Sequence, residues 1–231
     1  LSTFCASTYM RGINWIYAPT TLLGMTDSCI GGKSSINVGS YKNIIGNYYP
    51  PETVVLDTNF CKTLSVQQIL EGLFEAVKIC YAHSETRFEK HISLLDETQD
   101  LYCLDFDKIV ANSLSSKKEI IEEDEFDKDK RLLLNFGHTF GHALEGASNF
   151  KISHGVAVAL GMLSAFNLSV QLNLIEKSNE KANKLLKHLR DFLDIIDGLS
   201  ELVEKVDMQL AHTNFKSDKK HLKDFYFIIL F

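Results

Sequence analysis

The chain has 231 residues, of which 45% are hydrophobic and 23% are charged, a balance typical of a globular protein that buries a core. Its formal net charge of -6 argues against a general nucleic-acid binder, although a locally positive pocket for a small anion remains compatible with it. The sequence contains no apolar run of about 18 residues, so no transmembrane helix is predicted. Its five cysteines form no CxxC pair, which indicates reduced thiols and a cytoplasmic protein.

The first third of the chain has the composition of short strands, turns and loops. All three prolines, Pro19, Pro50 and Pro51, lie there. The segment NWIYAPTT predicts a strand that ends at Pro19, and PPETVVLDT contains a short buried strand at residues 54–56.

From residue 64 onward the sequence lacks proline and its apolar residues recur at helical intervals. SVQQILEGLFEAVKICYAH predicts a helix capped by Ser65. HGVAVALGMLSAFNLSVQLNL is apolar nearly all round, which predicts a deeply buried helix. The more amphipathic EKSNEKANKLLKHLRDFLDIIDGLSELVEKV is expected to break at Gly198, and the charged SSKKEIIEEDEFDKDKR is typical of a solvated helix face and loop. The pattern predicts a strand-and-loop region followed by an all-helical domain.

The segment NFGHTFGHALE is the strongest chemical motif. His138 and His142 stand four residues apart, so on a helix they share one face with Cβ atoms about 6 Å apart. Gly137 and Gly141 precede them, and a glycine inside a helix costs about 1 kcal/mol relative to alanine. The two glycines therefore predict close approach by another backbone or by a ligand.

Two further residues could complete a metal site with this pair. His154 comes just before the next predicted helix, and Glu75 lies in the otherwise apolar GLFEAVK. Two imidazoles and a carboxylate suit a zinc ion that keeps one position open for substrate. An HxxxH pair taken alone is more often two surface or core histidines, and spacing alone does not decide which three residues ligate.

The loop PTTLLGMTDSCIGGKSSIN combines hydroxyl groups, an acid, a glycine pair and a lysine. Gly31 and Gly32 would let the backbone approach a phosphate closely, while Lys33 supplies a positive charge. The loop is not a Walker A motif, because Ser28 stands where the first glycine should be, and no GxGxxG occurs in the chain.

Six blocks follow one another along the chain as far as about residue 220: RGINWIYAPTTLLGMTDSCIGGKSSIN, YKNIIGNYYPPETVVLD, EGLFEAVK, RLLLNFGHTFGHALE, HGVAVALGM and DKK. In this order they resemble the 3-dehydroquinate synthases and their sugar-phosphate cyclase relatives. The resemblance implies a two-domain α/β enzyme, with the end of a Rossmann-like NAD-binding domain at 1–63 and an all-helical metal- and substrate-binding domain at 64–231. The glycine-rich turn for NAD would precede Leu1.

The resemblance also implies roles for individual residues. Glu75, His138 and His154 would bind zinc, or cobalt in its place, and His142 would lie on the substrate side. The substrate's anionic and hydroxyl groups would be surrounded by Asp27, Lys33, Asn43, Lys78, Lys117, Arg131 and Asn135, with Lys42, one of Lys219 or Lys220, and Arg11 from a partner subunit. NAD would contact Thr20, Thr21, Lys33, Lys42, Asn43 and Thr63.

The activity implied is that of an NAD- and zinc-dependent carbon-oxygen lyase of the shikimate pathway, acting as a homodimer. Such an enzyme converts 3-deoxy-D-arabino-heptulosonate 7-phosphate to 3-dehydroquinate and phosphate. Two residues depart from the family pattern: Val156 replaces a glutamate, and Asp127 replaces a longer acid. The alternatives are a cyclase for another sugar phosphate, a metal-dependent alcohol dehydrogenase, and a non-catalytic helical remnant that binds a partner or metal.

Overall fold

Most of the chain is helical in the computed structural model, which describes residues 2–38, 41–217, 221, 226 and 228–230. The α-helices are α1 (Ser2–Thr8), α2 (Val66–His83), α3 (Glu85–Asp96), α4 (Phe106–Glu123), α5 (His138–Ala147), α6 (His154–Gln171), α7 (Glu180–Leu193), α8 (Leu199–Glu204) and α9 (Met208–Lys216). The strands are β1 (Ile16–Tyr17), β2 (Lys33–Val38), β3 (Tyr41–Tyr48) and β4 (Thr53–Val54). Shorter turns of helix occur at Tyr9–Arg11, Gly24–Ser28, Thr58–Thr63, Leu101–Cys103 and Lys130–Asn135.

The front of the chain contains two small sheets. β1 and β4 pair in parallel, and β2 and β3 form an antiparallel hairpin in which Lys33 opposes Tyr48. The predicted strand before Pro19 is present as β1. The prediction of a buried strand at residues 54–56 is wrong beyond Val54, because β4 pairs with the two-residue β1 and ends at Val54, and the side chains of Val55 and Leu56 are exposed. The hairpin and α1 were not predicted from the sequence. Both segments are rich in polar residues and lack the clear apolar alternation or helical spacing on which such a prediction depends.

α2 begins where the sequence predicts. The Ser65 side chain accepts a hydrogen bond from the backbone N–H of Gln68, and the Gln68 side chain accepts one from the N–H of Ser65. A serine cap of this kind stabilises a helix by about 1 kcal/mol. α2 packs against α3, α4 and α6, so it forms the centre of the helical region.

Two further helix predictions are also confirmed. α6 is buried along most of its length, and Val156 is only 1% exposed, so the family departure at this position is a core side chain packed among apolar residues. The amphipathic segment breaks as expected: α7 ends at Leu193, and Gly198 adopts a φ of 71° before α8. Among the described helices, none is long and apolar enough to cross a membrane.

α5 and α6 approach each other so closely that glycine is required between them. A Cβ atom on Gly141 would lie 2.8 Å from the carbonyl oxygen of Ala157, and one on Gly161 would collide with the carbonyl group of Gly137. The predicted close backbone approach is therefore confirmed. Gly137 is not inside the helix, however: it precedes α5 with a φ of 78°, a left-handed conformation that favours glycine.

Candidate metal and substrate site

α2 places an ion pair in the apolar interior. Glu75 is 0% exposed and Lys78 is 2% exposed, and the Lys78 ammonium donates to Oε2 of Glu75. The other carboxylate oxygen, Oε1, has no hydrogen-bond partner among the described residues. An unpaired buried polar atom costs about 1–3 kcal/mol, and more when it is charged. A cation bound at Oε1 would remove that cost.

Two imidazoles face this oxygen. His138 is the first residue of α5 and His154 is the first residue of α6. Their Nε2 atoms lie 3.8 Å and 3.6 Å from Oε1 of Glu75. The contacts of α6 with α5 and with α2 thus bring together three side chains that are remote in sequence.

The remaining ring nitrogens indicate which atoms could bind a metal. Nδ1 of His138 lies 3.3 Å from the carbonyl oxygen of Phe136, and Nδ1 of His154 lies 3.4 Å from Oε2 of Glu145. Because both partners are acceptors, the protons are assigned to Nδ1, which leaves the Nε2 lone pairs directed at Glu75. Histidines that ligate metals are usually held in this way.

The environment shifts the two imidazoles in opposite directions. Burial, reinforced by the positive charge of Lys78, lowers the pKa of His138 well below its ordinary value, so this ring is neutral at pH 7. Burial also acts to lower the pKa of His154, but the carboxylates of Glu145 and Glu75 outweigh it and the pKa rises. A metal that binds His154 must therefore compete with a proton.

His142 offers a second way to form a triad. One ligand atom from each of His138, His142 and His154 lies within 4.8 Å of the others, and the His138 and His142 rings are 5.2 Å apart. The expectation that the two histidines share a face is therefore confirmed. The triad with Glu75 is the better ligand set, because a cation bound there would also satisfy the buried Oε1 atom. Two nitrogens and one carboxylate oxygen fit a zinc ion with an open fourth position.

Lys117 is buried against the loop that precedes the hairpin. Its ammonium donates to the carbonyl oxygen of Ile30 at 3.0 Å and to that of Asp27, and it pairs with Oδ1 of Asp27 at 3.0 Å. Burial alone would raise the pKa of Asp27, but Lys117, with Lys78 and His154 adding to it, holds that pKa well below the ordinary value. The prediction that this charged segment is simply solvated is wrong for Lys117, which is 6% exposed.

Arg131 is likewise buried and supports the turn at the glycine pair. Its guanidinium donates to the carbonyl oxygen of Gly31 at 3.0 Å and to that of Glu125. Gly31 and Gly32 have φ values of 96° and 63°, so the backbone here requires glycine for conformational reasons as well. Lys33 follows them and pairs with Asp127 at 2.6 Å, with half of its side chain exposed.

The two predicted asparagines make local hydrogen bonds. Oδ1 of Asn43, in the hairpin, accepts from the hydroxyl of Ser35 at 2.7 Å. Nδ2 of Asn135, which precedes the histidine motif, donates to the carbonyl oxygen of Leu132 at 3.2 Å. These hydrogen bonds hold the two side chains in place but do not show which ligand they would contact.

The three threonines predicted to contact NAD lie in the front region. Thr20 is exposed, and Oγ1 of Thr21 accepts from the backbone N–H of Gly24 at 3.1 Å. The Thr63 hydroxyl donates to the carbonyl oxygen of Phe60 at 3.0 Å. Thr20 and Thr21 follow β1 in the chain, and Thr63 follows β4.

The remaining predicted residues are at the edge of what the structure describes. Arg11 is exposed and has a φ of 68°. The Lys42 side chain, Lys219 and Lys220 lie outside the described residues.

The contact between Glu145 and His154 was not predicted from the sequence, although Glu145 ends the NFGHTFGHALE motif. It stands seven residues after His138, which is two helical turns, so the two side chains share a face of α5. That spacing was the available signal. The contact with His154 depends on how α6 crosses α5, so the residue spacing within α5 could not predict it.

Comparison with known families agrees with these observations. The family model described as 3-dehydroquinate synthase N-terminal matches residues 1–71, and the one described as 3-dehydroquinate synthase C-terminal matches residues 72–221. A 3-dehydroquinate synthase from Dehalococcoides mccartyi (strain CBDB1) is 43% identical over 220 residues, which is 95% of this chain and 59% of that protein. The enzyme from Saccharolobus solfataricus is 36% identical over 225 residues, covering 96% and 62%. The chain thus spans about three-fifths of the length of the curated relatives it matches.

Solved structures support the same fold. A 2-deoxy-scyllo-inosose synthase in complex with carbaglucose-6-phosphate, NAD+ and Co2+ superposes with a TM-score of 0.79 and 28% identity, covering 95% of this chain and 58% of the other. A 2-epi-5-epi-valiolone synthase from Streptomyces hygroscopicus subsp. jinggangensis, with NAD+ and Zn2+ bound, has a TM-score of 0.72 at 23% identity, covering 93% and 58%. The sequence matches and the fold together show that this chain belongs to the 3-dehydroquinate synthase family.

Proposed function

We propose that this chain forms the metal- and substrate-binding part of a 3-dehydroquinate synthase that converts 3-deoxy-D-arabino-heptulosonate 7-phosphate to 3-dehydroquinate and phosphate. One observation supports the proposal above all others. The buried and unpartnered Oε1 atom of Glu75 faces the Nε2 atoms of His138 and His154. Two curated relatives, 43% and 36% identical to this chain, are 3-dehydroquinate synthases.

Glu75, His138 and His154 would hold the divalent metal, zinc or cobalt. When bound, the metal would polarise a ring alcohol and its ketone, and NAD would take up and return the hydride. Lys78 neutralises Oε2 of Glu75, so Glu75 would bind the metal through Oε1 alone. His142 lies beside the His138 and His154 imidazoles, with ring centroids 5.2 Å and 5.7 Å away, and would exchange a proton with the bound substrate.

The cationic side chains divide into two groups. Lys33 is half exposed, so its ammonium is accessible to the anionic groups of a substrate. Lys117 and Arg131 instead donate to backbone carbonyls of the loop at residues 27–31. They would hold this loop in place, so that Asp27 and Lys33 are oriented before substrate binds.

NAD binding and assembly belong to the same proposal. Thr20, Thr21 and Thr63 would contact the nucleotide, with Lys33 and Asn43 adjacent to it. A homodimer would let Arg11, which is exposed, reach the site of the other subunit. Sedimentation analysis of the wild type and Arg11→Ala, combined with activity of mixtures of inactive variants, tests this assembly.

The main alternative is a cyclase for a different sugar phosphate. It is favoured by the fold shared with the 2-deoxy-scyllo-inosose synthase complexed with carbaglucose-6-phosphate. Residues close to the substrate would decide between the two, and Asp127, which pairs with Lys33, is one of the two positions at which this chain departs from the family pattern.

The test is a phosphate-release assay on the chain expressed with any flanking sequence of its gene. The protein is supplied with zinc and NAD, and NADH absorbance is followed in the same reaction. Phosphate release without net NADH is expected from 3-deoxy-D-arabino-heptulosonate 7-phosphate. The activity should be lost with a chelator and in His154→Ala, and retained in His212→Ala, whose histidine is exposed on α9.

The other outcomes would change the proposed reaction. Glucose 6-phosphate is assayed as a second substrate, and phosphate release from it alone would indicate a different sugar-phosphate cyclase. Net accumulation of NADH would indicate a dehydrogenase. A folded protein that binds metal but releases phosphate from neither compound would contradict the proposed reaction.

A further inference from the structure

Glu145 is a buried carboxylate that contacts the proposed metal site from outside it. The residue is 8% exposed, and its Oε2 atom lies 3.4 Å from Nδ1 of His154. α5 presents Glu145 on the same face as His138, and the close crossing with α6 brings His154 against it. Burying a carboxylate is costly unless it is paired, and Nδ1 of His154 is a partner that offsets this cost for Glu145.

The contact with Glu145 determines whether Nε2 of His154 carries a lone pair or a proton. A neutral imidazole has one N–H and one lone pair, and a carboxylate accepts only the N–H. With the proton held at Nδ1, the lone pair stands at Nε2, the atom that lies 3.6 Å from Oε1 of Glu75. The opposite tautomer would direct an N–H at the place where a cation is expected.

The two metal-facing histidines are held by different acceptors. His138 has the backbone carbonyl of Phe136, which no side-chain substitution removes, whereas His154 depends on the Glu145 side chain. His154 is also the more exposed of the two, with 34% of its side chain accessible compared with 13% for His138. Packing restrains its ring less, so its orientation depends more on the hydrogen bond.

We infer that Glu145 is a positioning residue that fixes the tautomer and orientation of His154 and thereby sets the affinity of the site for its divalent metal. The inference rests on the proposed function, because it takes Glu75, His138 and His154 as the ligands. Outer-shell carboxylates of this kind typically change metal affinity by about 10- to 100-fold when they are removed.

The test measures metal binding directly and needs no turnover. Metal-free protein is titrated with Zn2+ against a chromophoric chelator, and the visible absorption of bound Co2+ is recorded. Glu145→Gln keeps the size of the side chain, but its amide can donate to Nδ1 of His154 as well as accept from it, so it no longer enforces the Nδ1–H tautomer. The Zn2+ dissociation constant should therefore rise by about 10-fold or more, and the Co2+ absorption should change. Glu204→Gln, an exposed glutamate on α8, is the matched control and should behave as the wild type.

Thermal unfolding in the presence of a chelator separates positioning from a structural role. The metal-free Glu145→Gln variant should unfold within a few degrees of the wild type. Unchanged affinity and absorption would overturn the inference, and so would lost stability with an unchanged Co2+ spectrum. If Glu145→Gln does not fold, Glu145→Asp, which keeps the charge but is one methylene too short, should show the same loss of affinity. Failure of the wild type to bind either metal would instead reject the proposed metal site and the inference with it.

Discussion

The Oε1 atom of Glu75 lies 3.6 Å from Nε2 of His154, although Glu75 is fully buried and Oε1 has no hydrogen-bond partner among the described residues. This pairing links α2 to the first turn of α6. It distinguishes two ligand sets that share His138 and His154, since one is completed by Glu75 and the other by His142.

Substitution separates these two ligand sets. Glu75→Gln should weaken Zn2+ binding by at least 100-fold, because it removes the anionic ligand, whereas His142→Ala should leave the affinity within about 10-fold of the wild type. Calorimetric titration of metal-free protein measures both. Loss of binding in His142→Ala together with normal binding in Glu75→Gln would establish the three-histidine set instead.

Removing the buried ammonium of Lys117 should destabilise the loop at residues 27–30. Lys117→Met leaves the carbonyl groups of Asp27 and Ile30 and the Asp27 carboxylate without their donor, so we expect a loss of about 1–3 kcal/mol in the free energy of unfolding. Lys118→Met is the adjacent control, because the Lys118 side chain is 69% exposed and pairs with Glu122 on the surface. Its effect should stay within about 0.5 kcal/mol in urea denaturation. Equal effects of the two substitutions would contradict the proposal that Lys117 holds this loop in place.

The α5–α6 contact predicts different outcomes for two glycines of the same helix. In Gly141→Ala the new methyl group would lie 2.8 Å from the carbonyl oxygen of Ala157, which is backbone and cannot move aside. The variant should lose about 1–3 kcal/mol of stability and bind metal more weakly, since the helices must separate. In Gly146→Ala the new methyl group would lie 2.8 Å from the amide nitrogen of Asn214, but that side chain is flexible and can move aside, so the variant should be tolerated, with helix propensity offsetting the contact. Thermal unfolding and metal titration of both variants provide the check, and a normal Gly141→Ala protein would show that the contact is not close in solution.

His91 should make the helical region sensitive to acid. The side chain is 0% exposed, neither ring nitrogen has a hydrogen-bond partner in the described part of the chain, and burial, with His188 nearby, lowers its pKa to about 3. The folded-state pKa of His91 lies below its unfolded value of about 6.5. Protonation of His91 therefore leaves the free energy of unfolding unaffected above pH 6.5 and lowers it as the pH falls toward 3. At pH 5 the loss from this residue amounts to about 2 kcal/mol relative to pH 7.

His91→Leu isolates this contribution. The variant should lose less stability than the wild type between pH 7 and pH 5, and it should also be more stable at pH 7, because it removes an unpaired buried polar group. His212→Leu, on the exposed surface of α9, should keep the pH dependence of the wild type. Parallel curves for the wild type and His91→Leu would show that His91 finds a partner for its proton in solution.

The sequence by itself determined the features that depend on near neighbours along the chain. The serine cap and the helical spacing located α2, the nearly uniform apolar run located α6, and the four-residue interval placed His138 and His142 on one face. The resemblance to 3-dehydroquinate synthases, read from six blocks, identified the family. These features were predictable because hydrogen bonds inside a helix act over three or four residues.

Only the tertiary structure decided which distant groups meet. Sequence spacing left Glu75 and His142 as rival partners for the two shared histidines, and it assigned a solvated surface to Lys117, which is buried against Asp27. It also gave no reason to pair Glu145 with His154. These contacts depend on how helices cross, and the crossing of α5 and α6 is set by backbone contact at Gly141 and Gly161, where the absence of a side chain allows an approach that local periodicity does not encode.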